Sequence, residues 1–265
     1  MSTLTKHRIA LVLVVVLAIA GGVALGLRIS SGHGTAPQWR AGDPTATPVP
    51  QPSPAVASYT FDTTARDTAV SDTSGLGHAL QPRSRFGGIL RPVPHGSGQA
   101  AQFPGSCEQA ECPRVVLQTP STPELNPGPR SISFGATVML AAGQTSDGQN
   151  VLQKGYSVAG GQYKLQIDKR PGHPSCVMTS EDSGDIQLAK SDVTVADGTW
   201  HTVECRRSGT TLTILVDGAD HGATTIPADL TVDNGAPLVL GGKGLSSNSD
   251  PFQGALDDVW IRISR

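Results

Sequence analysis

Aromatic residues are scarce in this chain, at 4% of 265 positions, while glycine (31) and proline (20) are plentiful. Few bulky side chains and many turn formers disfavour long helices and favour numerous short strands joined by loops. No charge of one sign dominates either. Lysine and arginine number 20 against 22 acidic residues, for a net charge of −2. Without a basic field to draw phosphates, nucleic acid is excluded as a partner. The motifs of several chemistries are absent too: no Gly-x-Ser-x-Gly elbow, no His-x-x-x-His pair and no Gly-x-x-x-x-Gly-Lys-Ser/Thr loop. Gly241-Gly242-Lys243-Gly244 has the wrong spacing for a phosphate loop and reads as a connection between late strands. Outside one apolar run, no segment keeps a 3.6-residue period over ten positions, and no internal repeat is visible.

That one run is Ile9 to Leu27, about 19 residues without a charge, just long enough to cross a hydrocarbon core of about 30 Å. Lys6, His7 and Arg8 precede it, so residues 1–8 are expected in the cytoplasm and the rest of the chain outside. The run exceeds a usual secretory core, and no small-x-small cleavage site follows it. Residues 9–27 are therefore read as a transmembrane anchor or uncleaved signal in a single-pass membrane protein, with secretion after cleavage as the alternative. Residues 28–55 follow as a Pro-rich linker, with Pro44, Pro48, Pro50, Pro52 and Pro54 at nearly every second position. Such a stretch is expected to be extended and to bury too little apolar surface to fold alone.

From Tyr59 onward the pattern changes to strand, turn, strand. Asp197-Gly198 opens a run in which Trp200, Thr202, Glu204 and Arg206 alternate with His201, Val203 and Cys205; Ser208-Gly209 turns it into Thr211–Val216, and Asp217-Gly218 turns again. Period-two runs bounded by glycine turns predict antiparallel hairpins with one buried face. Twelve strands are expected: residues 59–61, 100–103, 115–117, 131–140, 150–154, 163–168, 176–180, 186–190, 199–207, 211–216, 238–241 and 257–263. The architecture they predict is all-β, a two-sheet antiparallel sandwich over residues 56–265.

Several blocks resemble the laminin-G-like, concanavalin A-like family. They are Asp197-Gly-Thr-Trp-His-Thr-Val203 with Leu212-Thr-Ile-Leu-Val-Asp-Gly218, Ser58-Tyr-Thr-Phe-Asp62, Asp72-Thr-Ser-Gly-Leu-Gly77, Ser131-Ile-Ser-Phe134, Asn150-Val-Leu-Gln-Lys-Gly155, and Phe252-Gln-Gly-Ala-Leu-Asp-Asp-Val259. They keep the family's order. The resemblance implies a jelly-roll sandwich and an extracellular recognition module. It also implies an edge Ca²⁺ site tying the first strand to the last, and maps the ligands onto Asp257 and Asp72, with Asp62 as a third candidate. Physically, Asp257 opens an otherwise apolar strand (Val259, Ile261, Ile263), where a carboxylate needs a partner, whether metal or hydrogen-bond donor. Hydrolases of this fold carry a Glu-x-Asp-x-x-Glu strand. None of the five glutamates here forms one, and Glu181-Asp182 reads as a solvated hairpin tip. His201 is expected to pack or hydrogen-bond, and Trp200 and Trp260 to pack inside the sandwich.

Four cysteines allow three pairings. Their spacing does not suit zinc. Cys107 and Cys112 are close enough to close a small loop, and the resemblance implies that Cys176 joins Cys205. The function expected is a non-catalytic extracellular binding module for carbohydrate or a cell-envelope component. A protein–protein or structural surface module is the alternative, and a divergent glycoside-active enzyme ranks below both. If all four cysteines are oxidised, thiol titration of unreduced, denatured protein finds no free thiol; two reactive thiols would overturn the pairing.

Overall fold

The computed structural model describes residues 53–63, 68–180 and 184–265. The apolar run, the linker up to residue 52 and the Glu181-Asp182 tip lie outside the described residues. Among the described residues no helix is long and apolar enough to cross a membrane. Fifteen strands run in order: Ala55–Tyr59 (β1), Gln81–Arg85 (β2), Arg91–His95 (β3), Gly98–Gln102 (β4), Arg114–Thr119 (β5), Ile132–Met139 (β6), Gly148–Tyr156 (β7), Ala159–Asp168 (β8), His173–Thr179 (β9), Ile186–Lys190 (β10), Trp200–Ser208 (β11), Thr211–Val216 (β12), Ala219–Thr225 (β13), Leu238–Leu240 (β14) and Ala255–Ile263 (β15). They form an eight-stranded sheet, β13-β12-β11-β6-β15-β4-β3 with β1 added on β15, and a seven-stranded sheet, β10-β9-β8-β7-β14-β5-β2. The sandwich expected from the alternation is the one observed.

Each inner face follows from period two. On β6, Ile132, Phe134, Ala136 and Val138 are buried, while Ser133, Thr137 and Met139 are half-exposed. Tyr163, Leu165 and Ile167 of β8 point inward from the other sheet. Phe134 meets Tyr163 across the gap with ring centroids 5.0 Å apart. Cys176 of β9 is bonded to Cys205 of β11, so this disulfide joins the two sheets, while Cys107–Cys112 closes a local loop. At the β12–β13 hairpin, Asp217 and Gly218 both take positive φ (51° and 80°), as a two-residue primed turn requires.

Three strands escaped the sequence reading, and all three are edges. β2 (Gln-Pro-Arg-Ser-Arg), β3 (Arg-Pro-Val-Pro-His) and β13 (Ala-Asp-His-Gly-Ala-Thr-Thr) each end a sheet. Pro82, Pro92 and Pro94 cannot donate to a ladder, so they are tolerated only where one side of the strand has no partner. Polar residues and proline blunt these edges and hide them from a hydrophobic-periodicity search.

Lys154 of β7 is fully buried, yet faces no carboxylate at hydrogen-bonding distance. Its Nζ donates among Ser121 Oγ and Asn234 O at 2.9 Å, and Asn234 Oδ1 and Ala236 O at 3.1 Å. Burial pulls its pKa down to about 8, against the charge of Asp233. The ammonium thus gathers the 121 and 233–236 loops onto β7. Lys154→Met keeps the length of the side chain but removes the donor shared by these oxygens, of which Asn234 O and Oδ1 retain Ser121, Asn126 and Ala236 as partners. It should cost about 2–4 kcal/mol in urea unfolding, and an unchanged midpoint would show that the loops hold without it.

Candidate functional site

Three neighbouring strands build a continuous outer surface on the eight-stranded sheet. β11, β6 and β15 align in rows: Trp200–Met139–Ala255, Thr202–Thr137–Asp257, Glu204–Gly135–Trp260 and Arg206–Ser133–Arg262. Because Phe134, Ala136, Val138, Val203 and Cys205 fill the core, the residues of these rows face out. A bulge in β15 between Asp257 and Trp260 sets two residues, Asp258 and Val259, against Ala136. It re-aims the strand so that Val259 and Ile261 are buried while Trp260 and Arg262 lie outside.

The structure thus corrects the expectation that Trp200 and Trp260 pack inside the sandwich. Both are half-exposed on its outer side. The Trp260 indole lies in a notch over Gly135, where an added Cβ would come within 2.6 Å of the ring. Its Nε1 is shielded and has no protein partner. The Arg262 guanidinium sits 5.5 Å from the Trp260 ring centroid. Arg206 Nε bonds Glu204 Oε1 at 3.0 Å. Below this row, serines 131, 133 and 208 join Arg206 and Arg262 around a shallow cleft of about 520 Å³.

At the other end of the surface, His95 reaches over from the end of β3. Its Nδ1 lies 2.6 Å from Asp257 Oδ2, and its ring stacks 4.0 Å from Trp200. Asp257 Oδ1 accepts the Asp258 backbone N–H at 2.8 Å. This is the partner that the carboxylate at the start of an apolar strand requires. Burial pushes the Asp257 pKa up, against the His95 hydrogen bond, which lowers it.

The three aspartates nominated for calcium do not gather. Asp72 Oδ1 accepts from the N–H groups of Ser58 and Ser74, and its Oδ2 from His78 N–H and Ser74 Oγ, which saturates the carboxylate within its own loop. Asp72 also ties that loop to β1. Burial alone would raise its pKa, but these hydrogen bonds win and lower it. Asp62 is exposed and accepts from Gln99 N–H at 3.2 Å. Among the described residues, the one group of three ligand atoms within 4.8 Å of one another is His95, Asp257 and Asp258. One imidazole and two carboxylates do not match calcium, which takes six to eight oxygens. Sequence reasoning missed His95 because the edge strand that carries it was not recognised.

His201 is held on both sides, as a hydrogen-bonding residue should be. Nδ1 lies 2.8 Å from Asp217 Oδ2, and Nε2 lies 3.2 Å from Asp197 Oδ1 and 3.1 Å from Thr199 Oγ1. Partial burial favours the neutral ring, but the two carboxylates outweigh it and raise the His201 pKa. Thr199 and His201 in turn hold Asp197 down to about 2.

Comparison with known proteins locates this architecture. A family profile described as the concanavalin A-like lectin/glucanases superfamily matches residues 116–262. No curated protein matches in sequence. Among solved structures, domain 4 of the extracellular arabinanase AbnA from Geobacillus stearothermophilus, in complex with arabinotriose, is 16% identical with a TM-score of 0.60, covering 81% of this chain and 94% of that one. The binding domain of Paraclostridial Mosquitocidal Protein 1 is 14% identical with a TM-score of 0.58, covering 78% of this chain. The binding domain of Botulinum Neurotoxin DC in complex with SialylT is 11% identical with a TM-score of 0.56, covering 79% of this chain. The chain spans 48% of each of those two toxin domains. At these identities the likeness is one of fold.

The His201 geometry carries a pH dependence. A pKa raised on folding adds stability that is complete below the ordinary histidine value of about 6.5 and is lost as pH rises through the native value. An NMR titration should place the His201 midpoint above 6.5, and Asp217→Asn should lower it; a midpoint that Asp217→Asn leaves in place would refute the carboxylate clamp.

Proposed function

The chain belongs to the concanavalin A-like lectin/glucanases superfamily, and from that premise we propose that it is a non-catalytic carbohydrate-binding module whose binding surface is the outer face of the β11-β6-β15 sheet. One observation carries this reading: two indoles, Trp200 and Trp260, lie on that face among residues able to hydrogen-bond hydroxyls. Sugars present apolar C–H faces to aromatic rings and hydroxyls to polar side chains, and such a surface answers both. The AbnA domain, matched over nearly its full length and solved with arabinotriose, supports a sugar as the ligand.

Hydrolysis fits less well. The two carboxylates of these rows are already engaged, Glu204 with Arg206 and Asp257 with His95. A glycosidase needs one free base or nucleophile and one free acid across a scissile bond. The cross-sheet disulfide and the expected membrane run support placement outside the membrane, with the sandwich carried on the Pro-rich linker.

A second reading has its own observation. Ile186 and Leu188 of the edge strand β10 are 63% and 44% exposed, and Val158 in the β7–β8 turn is 92% exposed. An apolar sheet edge of this kind suits contact with another protein.

A glycan array probed with the full-length chain tests the main reading. Binding to a defined set of oligosaccharides is expected, and Trp260→Ala and Trp200→Ala should each weaken it at least about tenfold. An empty array, with Ile186→Asp abolishing capture of a protein partner, would move the function to the β10 edge. Release of reducing ends from a bound glycan would make the module an enzyme.

A further inference from the structure

The cleft beside Trp260 is unevenly charged for a chain of net charge −2. Arg206, Arg207 and Arg262 border it against one carboxylate, Glu204. Arg207 is buried behind it and donates to backbone oxygens, Nη1 to Leu230 O at 2.7 Å and Nε to Gly209 O at 3.4 Å. It is thus a fixed positive charge without a counter-ion among the described residues. Arg206 gives its Nε to Glu204, and among the described residues no other hydrogen bond engages its guanidinium. Arg262 lies over the Trp260 ring and enters no ion pair among the described residues. One glutamate therefore balances one of three guanidiniums.

A neutral sugar would not need this arrangement. Hydroxyls are met adequately by serines and amides, whereas an arginine held over an indole and left without an acid has its donor fork unfilled. Its natural complement is a pair of anionic oxygens, bound bidentately. The indole beside it lies against Gly135 with Arg262 over its ring, so its exposed edge can meet the apolar side of the sugar to which the anion is attached.

We propose that the cleft at Arg206 and Arg262 selects an acidic saccharide, one whose ring packs beside Trp260 while its carboxylate or phosphate is taken by the two guanidiniums. The proposal rests on the carbohydrate reading and narrows its ligand class.

Titration calorimetry on the full-length chain tests it with matched probes: galacturonate and glucuronate tetramers, their methyl esters, a hexose 6-phosphate and the parent hexose. The ester keeps size and linkage and removes only the charge. An acidic probe should bind at least about tenfold tighter than its neutral counterpart at low salt, with the gap closing at high ionic strength because exposed charges are screened. Arg262→Gln should erase the preference, bringing charged and neutral probes to the same affinity, with the melting temperature unchanged. Arg262→Lys should restore part of it. Preference for a uronate over its ester assigns a carboxylate, and preference for the phosphate over the hexose assigns a phosphoryl group. Equal affinity for charged and neutral partners, or a preference that survives Arg262→Gln, overturns the proposal and leaves the carbohydrate reading standing. No binding to any saccharide, here or on the array, removes both.

Discussion

The alternation of β6 fixes both surfaces of the eight-stranded sheet at once. Its inner residues, Phe134, Ala136 and Val138, must fill the space between sheets, where Phe134 meets Tyr163. That commitment leaves Ser133, Gly135 and Thr137 for the outside, all small. The strand is central, paired on both sides by β11 and β15, so it cannot slip by one residue without turning Phe134 out and Ser133 in. The shallow floor on which Trp260 rests is thus a by-product of core packing. The groups around that floor come from the flanking strands and from the end of β3, which brings His95.

How much of this could be read from the sequence depended on where each residue sat. Interior strands such as β11 and β12 announce themselves, because burial on one face imposes a strict period and glycine turns mark their ends. The edges β2, β3 and β13 do not, since their chemistry is chosen to resist further pairing. With β3 went His95, and with His95 the partner of Asp257, whose need for one was nonetheless evident from the apolar strand around it. The bulge at Asp258 was illegible for a different reason. Without it, simple alternation would set Val259 beside Asp257 on the outside and Trp260 inside. One extra residue, with Asp258 at a φ of 43°, reverses this. A period count has no term for such an insertion, which is why Trp260 was assigned to the core; Trp200 is a different case, since alternation along β11 already sets it on the face of Thr202, Glu204 and Arg206. The disulfides came by another route: the Cys107–Cys112 loop was short enough to suggest itself, whereas Cys176–Cys205 followed from the family resemblance, and the structure shows that it joins strands from opposite sheets.

Charge is handled by two separate strategies in this fold. Deep inside, Lys154 and Arg207 are satisfied by neutral oxygens, which costs desolvation but orders loops that would otherwise lack contacts. At the rim, His201 and His95 are each set against carboxylates, and these pairs pin turns and hairpin ends. Of the outer arginines, Arg206 has Glu204. Arg262 is neither buried nor paired with an acid, and this sets it apart from the structural cations.

The pairing of β1 with β15 also decides how the domain would carry a mechanical load. Ala55 lies opposite Arg262, and Ser58 opposite Trp260, in one antiparallel ladder. A polymer held at Trp260 and Arg262 pulls on β15 itself, while tension from the N-terminal side enters through β1. The direct force path between them is the Ala55–Tyr59 ladder, a few hydrogen bonds long, with the 72–78 loop as a second hold on β1. The path bypasses the Cys176–Cys205 staple, and what resists the pull besides the ladder is the burial of Ala57 and Tyr59. Under such a pull β1 is the element loaded first, so the strength of the whole domain along that direction is set by its first five strand residues.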